Sequence, residues 1–373
     1  MPELEAECGA IRPTPQPIRV AIDATLAGTQ NTGDSAYWRG LIYGLATLPT
    51  SAEFLLITNG PADLPADLPS NMLTLALPKA SPRWYSLWNF PRAARHYGAD
   101  VIHTQYNLSP FVRDIGVTTI HDVSFFIEPR WFKVRDRLLL KWGIPSSIRR
   151  AAAVLTVSET SKSEIIEFVP EASEKVVVTP NALDPNFVVP KLDDAQQSVA
   201  ELYGLRNPYV LTIGSIWPRK NIALAAEAVK LAGEGLEIAI VGQYHAGEMP
   251  DYPCVRALGY VPDHHLGALY RAAIATVIPS FHEGFGIPVL ESWASSTPVI
   301  CSAGGALPEI AGDAAMIVDS WDPAPWAEAI NQLRNDSSKV ALLRTRGRQR
   351  LKQFSWKETA WRTLAVYFEV AQQ

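Results

Sequence analysis

Cysteine is scarce in this 373-residue sequence: Cys8, Cys254 and Cys301 are scattered, with no CxxC pair and no metal-ligand spacing. That pattern argues against a disulfide framework and fits a reducing compartment. No apolar run approaches the roughly 20 residues needed to span a bilayer. There is no excess of positive charge either, and a formal net charge of −5 gives no reason to expect nucleic acid as a partner. The opening MPELEAECGAIRPTPQP is acidic and proline-rich and has no apolar centre, so a short disordered leader over residues 1–17 is expected in place of a signal peptide. No DxD-type metal motif stands out. His264 and His265 follow Asp263, an expected helix N-cap, and read as surface residues. Neither a metal nor a cofactor is therefore expected, and the protein is expected in the cytoplasm.

What is present is ordinary globular material, 47% hydrophobic and 19% charged, long enough for two domains. Strand-like runs fall at 18–23, 53–58, 117–120, 152–157 and 176–179, then at 209–213, 237–241, 275–278, 298–301 and 315–318. Several are continuously apolar, as in strands covered by helices on both faces. Strands separated by helical stretches imply parallel sheets. The expectation is an α/β chain of two Rossmann-like, doubly wound domains, residues 18–190 and 208–352, with a ligand cleft between them. The strand pattern is interrupted between about Pro185 and Pro208, where Pro185, Pro190 and polar residues dominate, and 191–207 reads as the linker; Asp193 and Asp194 fall in it. Residues 353–373 read as an amphipathic helix, packed on the second domain or crossing back to the first.

The most informative segment is HEGFGIPVLESWASSTPVICSAGGALP, His282 to Pro308. Gly284 and Gly286 permit a tight turn and close backbone approach to a ligand, and Pro288 fits the first helical position. The N–H groups of Gly286, Ile287, Val289 and Leu290 are then expected to point outward from a helix start, which offers an anion about half a positive charge. Glu283 and Glu291 flank this turn. A carboxylate beside a diphosphate repels it unless it faces sugar hydroxyls, two of which it can accept at once. Glu291 would hold ribose and Glu283 the donor sugar; the alternative for Glu291 is simple complementation of the helix dipole. The second element, GSIWPRKN from Gly214 to Asn221, places Arg219 and Lys220 where they could neutralise a leaving diphosphate. In isolation it could equally be a solvated basic turn.

TGDSAYWRGL, HTQYNLSP, IHDVSF, VSETSKSEI, TPNALDPNF, PRKN, GYVPD, HEGFGIPVLE and GGALPEIAG follow one another in this order. The ordered set, spread over roughly Ile18 to Val370, resembles the retaining GT-B glycosyltransferases of the glycosyltransferase family 4 (group 1) type, and within it a mannosyltransferase-like subgroup. The resemblance implies that Glu283 faces the donor sugar and Glu291 the ribose. It implies that Phe285, Gly286 and Ile287 bring backbone to sugar and phosphate, and that Lys220, with Arg219 beside it, meets the diphosphate. His121 is implied to reach the donor sugar near the reacting bond. Tyr260 and Val261 would help recognise the base through their backbone, and Gly33 would approach the donor phosphates. Many members carry an arginine directly after the glycine of the phosphate loop, where this chain has Ser215 after Gly214. Asp34, beside Gly33, would repel a diphosphate and is expected to face acceptor or solvent.

The implied reaction moves a hexose, mannose as first choice, from a nucleoside-diphosphate sugar such as GDP-mannose to a glycan or lipid-linked acceptor in polysaccharide biosynthesis. It proceeds with retention by front-face attack and without metal. An epimerase on the same fold would convert donor without any acceptor. A non-catalytic binding subunit would fit Ser215 and Asp34, but not the retained Glu283, Glu291 and Lys220. The segment Arg130 to Arg150 is rich in Arg, Lys and Trp, and Trp84 and Trp88 precede it. It is either a solvated helix with buried aromatics or a peripheral contact with the inner membrane face.

Overall fold

The computed structural model describes residues 17–28, 33–65, 67–132, 134–189, 195–205, 208–214, 217–243 and 250–373. The expected leader, apart from Pro17, and Ser215 lie outside these residues. The first domain is built on a seven-stranded sheet: β1 (Arg19–Asp23), β2 (Glu53–Asn59), β3 (Met72–Leu77), β4 (Val101–Gln105), β5 (Gly116–Thr119), β6 (Ala153–Thr156) and β7 (Val176–Val178). The second carries a six-stranded sheet: β8 (Tyr209–Ile213), β9 (Glu237–Val241), β10 (Val255–Gly259), β11 (Thr276–Ile278), β12 (Val299–Ser302) and β13 (Met316–Val318). The orders are β3-β2-β1-β4-β5-β6-β7 and β10-β9-β8-β11-β12-β13, with every pairing parallel. Both sheets are doubly wound, and their switch points fall between β1 and β4 and between β8 and β11.

Three strands were not anticipated. β3 and β10 are edge strands with side chains largely in solvent; β10, VRALG, has no continuous apolar run, and β3, MLTLAL, is apolar but lies between Pro69 and Pro78 in a proline-rich stretch. β4, VIHTQ, is central and mostly buried, but its His103 and Thr104 disguise it. The expected linker is also partly wrong. Ala195–Leu202 is a helix, and Ala200 and Leu205 are buried with Tyr209, Leu211 and Leu269 in the second domain's core. Residues 190–194 and 206–207 of that stretch lie outside the described residues.

Three helices position the site: α1 (Gly33–Ala46), α2 (Glu159–Phe168) and α3 (Ile287–Ala294). A fourth, α4 (Trp356–Ala371), is the last element of the chain and packs on α1 in the first domain's core. A Cβ on Gly40 would lie 1.9 Å from the Trp356 ring, and one on Gly44 2.2 Å from the Trp356 carbonyl, so the two helices touch through bare backbone. Trp356 Nε1 donates to the Leu183 carbonyl at 2.7 Å. The Tyr367 hydroxyl shares a 2.6 Å hydrogen bond with Nδ1 of His103, whose Nε2 meets the Thr119 hydroxyl at 2.8 Å. Burial, with His121 nearby, pushes the His103 pKa down to about 3, so the ring is neutral and acts as a bridge within the core.

Candidate active site

Ligands of doubly wound sheets sit at the carboxyl ends of the strands, beside the switch point. β8 runs out into Gly214 and the turn Pro218–Lys220, while its neighbour β11 runs out toward Ser280–Glu283. Gly214 has φ +131°, and a Cβ there would stand 3.3 Å from Lys220 Cε, so the lysine lies across bare backbone. Lys220 Nζ donates to Glu283 Oε1 at 2.5 Å, Ser280 Oγ donates to the same oxygen at 2.6 Å, and Arg219 Nη1 donates to Oε2 at 2.9 Å. Burial would raise the Glu283 carboxyl, but Arg219 and then Lys220 outweigh it and hold it well below the usual range. Burial pulls Lys220 down, with Glu283 opposing, whereas Glu283 and Asp122 overcome the effect of burial on Arg219 and raise it. The result is a carboxylate fixed between two cations at a strand end.

Gly286, at φ +104°, caps the start of α3, and a Cβ there would come within 2.9 Å of Leu307. Two expectations about this helix need correction. It starts at Ile287, so Pro288 is the second helical residue. The Val289 N–H bonds back to the Gly286 carbonyl at 2.9 Å and does not point outward. Phe285 and Leu290 have buried side chains, Phe285 edge-on to Phe354, so only their backbone could meet a ligand. The same holds for Val261, whereas Tyr260 is exposed. Glu291 accepts from the Tyr270 hydroxyl at 2.5 Å. Burial, aided by Asp184 and Asp263 and opposed by Tyr270 and Lys220, pushes its carboxyl up to about 7.

The first domain faces this cluster closely. A Cβ on Gly284 would stand 2.5 Å from the His121 carbonyl, and one on Gly33 3.8 Å from Ile287 Cδ1. His121 follows β5, and Tyr37 of α1 holds its ring edge-on at 4.7 Å. Its buried Nε2 has no hydrogen-bond partner among the described residues, and Asp34 Oδ1 is 3.8 Å away. Burial lowers the His121 pKa, against Asp34 and Asp122, which favours a neutral ring. Asp34 therefore faces this histidine. Asp122 Oδ1 accepts from the Ser124 N–H and hydroxyl, closing a turn as its residue type suggests. Tyr106, which sequence reasoning missed, leaves β4 with φ 58° and sits within the electrostatic reach of Asp122, Asp34 and Arg219. A non-glycine residue in the left-handed region at a strand end is a frequent mark of functional sites.

Helix α2 docks on the second domain. Glu309 accepts from the Glu159 and Thr160 N–H groups, both at 2.9 Å, and from the Thr160 hydroxyl at 2.7 Å, so it caps a helix of the other domain. Ser158 and Ser161 hydroxyls donate to the Gly284 carbonyl at 2.8 and 3.2 Å. The structure brings Glu283, Arg219, Lys220 and Gly214 of the second domain up to His121 and Gly33 of the first where the two domains meet.

Two facing doubly wound domains, with a Glu–Lys–Arg cluster at a switch point between them, define a GT-B glycosyltransferase. Residues 52–187 match Glycosyltransferase Family 4 and residues 207–336 match Glycosyl transferases group 1. Over 292 residues the chain is 34% identical to the O-antigen chain mannosyltransferase B of Escherichia coli, covering 74% of this chain and 76% of that protein. It is 31% identical over 261 residues to the O-antigen chain mannosyltransferase RfbU of Salmonella typhimurium, 67% of this chain and 69% of that one. The chain belongs to the group 1, family 4 glycosyltransferases. Its fold is similar to sucrose-phosphate synthase from Thermosynechococcus elongatus (TM-score 0.72, 20% identity, 95% of this chain and 99% of that one). It is also similar to Anabaena HepE in complex with UDP and glucose (TM-score 0.70, 16% identity, 94% and 100%).

Proposed function

We propose that the enzyme transfers mannose from GDP-mannose to a glycan or lipid-linked acceptor at the cytoplasmic stage of polysaccharide assembly, with retention and without a divalent ion. The observation that carries the reading is the Glu283 carboxylate, held by Arg219 and Lys220 at the carboxyl ends of β8 and β11. Kinship with the two O-antigen mannosyltransferases supports mannose as the sugar. In the reaction the acceptor oxygen bonds to the anomeric carbon as its bond to the nucleoside diphosphate breaks. The electron pair leaves with the phosphate oxygen, which takes the acceptor's proton. Lys220 and Arg219 stabilise the charge growing on that oxygen, a role a buried cation pair can fill without reorganising. Glu283, permanently ionised, accepts sugar hydroxyls, and His121, neutral with a free Nε2, meets a sugar or phosphate oxygen. Glu291 accepts the ribose hydroxyls.

Calorimetric titration with GDP, UDP, ADP and dTDP in EDTA-containing buffer tests this. GDP alone binding in the micromolar range, with release of GDP from GDP-mannose when a mannose-terminated acceptor is added, is the expected result. Tighter UDP binding would overturn the choice of donor. Turnover only after adding Mg²⁺ would overturn the metal-free mechanism.

A further inference from the structure

Three aromatic rings run outward from the Glu283 cluster along the carboxyl ends of the second sheet. Trp131, in the turn Pro129–Trp131 of the first domain, stacks on Phe281 of the second, with centroids 6.1 Å and planes 13° apart. Phe281 in turn meets Trp321 at 4.7 Å and 57°. Phe281 follows β11, and its N–H donates to the Arg219 carbonyl at 2.8 Å, so the series begins beside the cation that holds Glu283. Trp321 follows β13. Between them the end of β12 runs through Ala303, Gly304 and Gly305, and a Cβ on Gly304 would stand 2.5 Å from the Phe281 carbonyl. Small residues at that point let the two rings meet. Trp321 is 50% exposed although its turn is fixed. Asp322 caps the helix Pro323–Asn335 through the Ala324 N–H at 2.8 Å, and Trp326 Nε1 donates to the Ser320 carbonyl at 2.8 Å. Trp131 and Phe281 are half-buried. Nearby contacts that join the domains, Ser158 to Gly284 and His282 to Glu164, are largely buried. Rings placed only to join the domains would be buried likewise, whereas contiguous exposed aromatics mark a surface that is covered in use.

What covers this surface follows from the order of the sheet. The order β10-β9-β8-β11-β12-β13 puts Tyr260 and Val261 toward one edge, Lys220 and Glu283 in the middle and Trp321 at the other edge. With the base at Tyr260 and Val261 and the transferred sugar at Glu283, the side toward β13 lies beyond that sugar, where an acceptor must be. From β11 to β13 is two strand spacings, about 10 Å, so the rings extend past the transferred sugar. We infer that Trp131, Phe281 and Trp321 form a platform for the saccharide chain of the acceptor. The C–H face of a pyranose carries slight positive charge and lies against the negative face of an aromatic ring. Exposed Asp319 and Asp322 flank Trp321 and offer carboxylate oxygens to sugar hydroxyls. A lipid chain would cover the rings but desolvate the carboxylates, whereas a glycan uses both. One ring comes from the first domain and two from the second, so the platform is complete only with the domains in contact. The inference rests on the proposed glycan acceptor and adds where that glycan lies.

The test uses the full chain with α-linked mannotetraose as the probe, its binding read by saturation-transfer NMR with and without GDP. The wild type is expected to bind the tetrasaccharide. Trp321→Ala should weaken that binding about tenfold, and Trp321→Tyr should recover most of the loss. In transfer assays Trp321→Ala should raise KM for mannotetraose with a smaller change in kcat. It should also remove the advantage of mannotetraose over methyl α-mannoside as acceptor. GDP affinity, by calorimetry, separates the two readings: mannotetraose binding to a wild type that does not bind GDP would sink the donor assignment and leave the platform standing. No mannotetraose binding by the wild type, or equal binding by Trp321→Ala, would overturn the platform. So would an equal fall in GDP and mannotetraose affinity in Trp321→Ala, which would make the rings a strut between the domains.

Discussion

Nε2 of His282 and Oε1 of Glu164 lie 2.8 Å apart, joining a residue of the second domain's donor loop to helix α2 of the first. Both side chains are largely buried, and the His282 carbonyl accepts from the same Arg219 Nη1 that binds Glu283. Burial would favour a neutral ring, but the Glu164 hydrogen bond and charge, with Asp122 and Glu283 behind, raise the His282 pKa. Domain docking is thereby tied to the geometry of the site.

Breaking that pair should weaken donor binding more than it slows chemistry. Removing one partner of a buried pair leaves the other charge unmatched. Glu164→Ala is expected to weaken nucleotide binding about tenfold, equivalent to about 1.4 kcal/mol, with a smaller change in turnover. Glu164→Gln, which keeps a hydrogen-bonding group, should recover part of it. Because the histidine pKa is raised, the pair is fully formed at low pH and is lost as pH rises through the raised value. The penalty of Glu164→Ala should therefore shrink above that pH. Unchanged affinity in Glu164→Ala at pH 6 would show that the contact is not coupled to the site.

Within the cluster, Lys220→Ala should reduce turnover about 10²–10³-fold, the range for losing one preorganised donor to developing charge. Nucleotide should still bind through Arg219. Glu283→Gln should also abolish most turnover while leaving two cations around a neutral amide, so GDP should bind as tightly as before or more tightly. Turnover and calorimetry on both variants decide the matter: wild-type turnover in either would remove that residue from the reaction.

Glu291 gives the pH dependence. Its carboxyl, pushed up to about 7, must be ionised to accept two ribose hydroxyls. Nucleotide affinity should rise with pH by up to about tenfold per unit below 7 and level off above it. Glu291→Gln should bind weakly and without that slope, and a 2′-deoxynucleotide should show a smaller slope with the wild type. Stability runs the other way. The unfolded carboxyl titrates near 4.3, at about its ordinary value, so the contribution of a raised folded pKa is complete below that and is lost as pH rises to 7. Glu291→Gln is therefore expected to melt higher than wild type at pH 8 in the absence of nucleotide, an activity–stability conflict within one side chain.

The parts of the site that sequence made legible are those whose chemistry is local. Glu283, Gly286 and Glu291 lie on one strand–turn–helix passage, and Arg219 and Lys220 on another, so spacing alone assigns them to strand ends. Tyr106 and Glu164 come from separate segments of the first domain and meet the second only by folding. No spacing joins them. Tyr270 was invisible for the same reason: it lies on a neighbouring helix, and only packing brings its hydroxyl to Glu291. In the fold, edge strand β10 lacked an apolar run, β3 lay between Pro69 and Pro78, and β4 hid its core position behind His103. The Ala195–Leu202 helix read as linker because AQQSVAEL is only eight residues long and has just two large apolar side chains, Val199 and Leu202.

The return of α4 to the first domain can be tested at Gly40. In an exposed helix interior, Gly→Ala gains about 0.5–1 kcal/mol from backbone entropy. At Gly40 the new methyl would collide with the Trp356 ring 1.9 Å away, and the ring, fixed by its hydrogen bond to Leu183, has nowhere to go. Overpacking of this kind costs about 1–3 kcal/mol, so destabilisation is the expected sign. Gly40→Ala should lower the melting temperature and speed amide exchange in both α1 and α4. The double variant Gly40→Ala/Trp356→Leu, which makes room for the methyl, should recover part of the loss despite removing a buried indole. A Gly40→Ala protein as stable as wild type would mean that α4 does not hold this position in solution, and the first domain would then lack the brace that joins Tyr367, His103 and Thr119 behind His121.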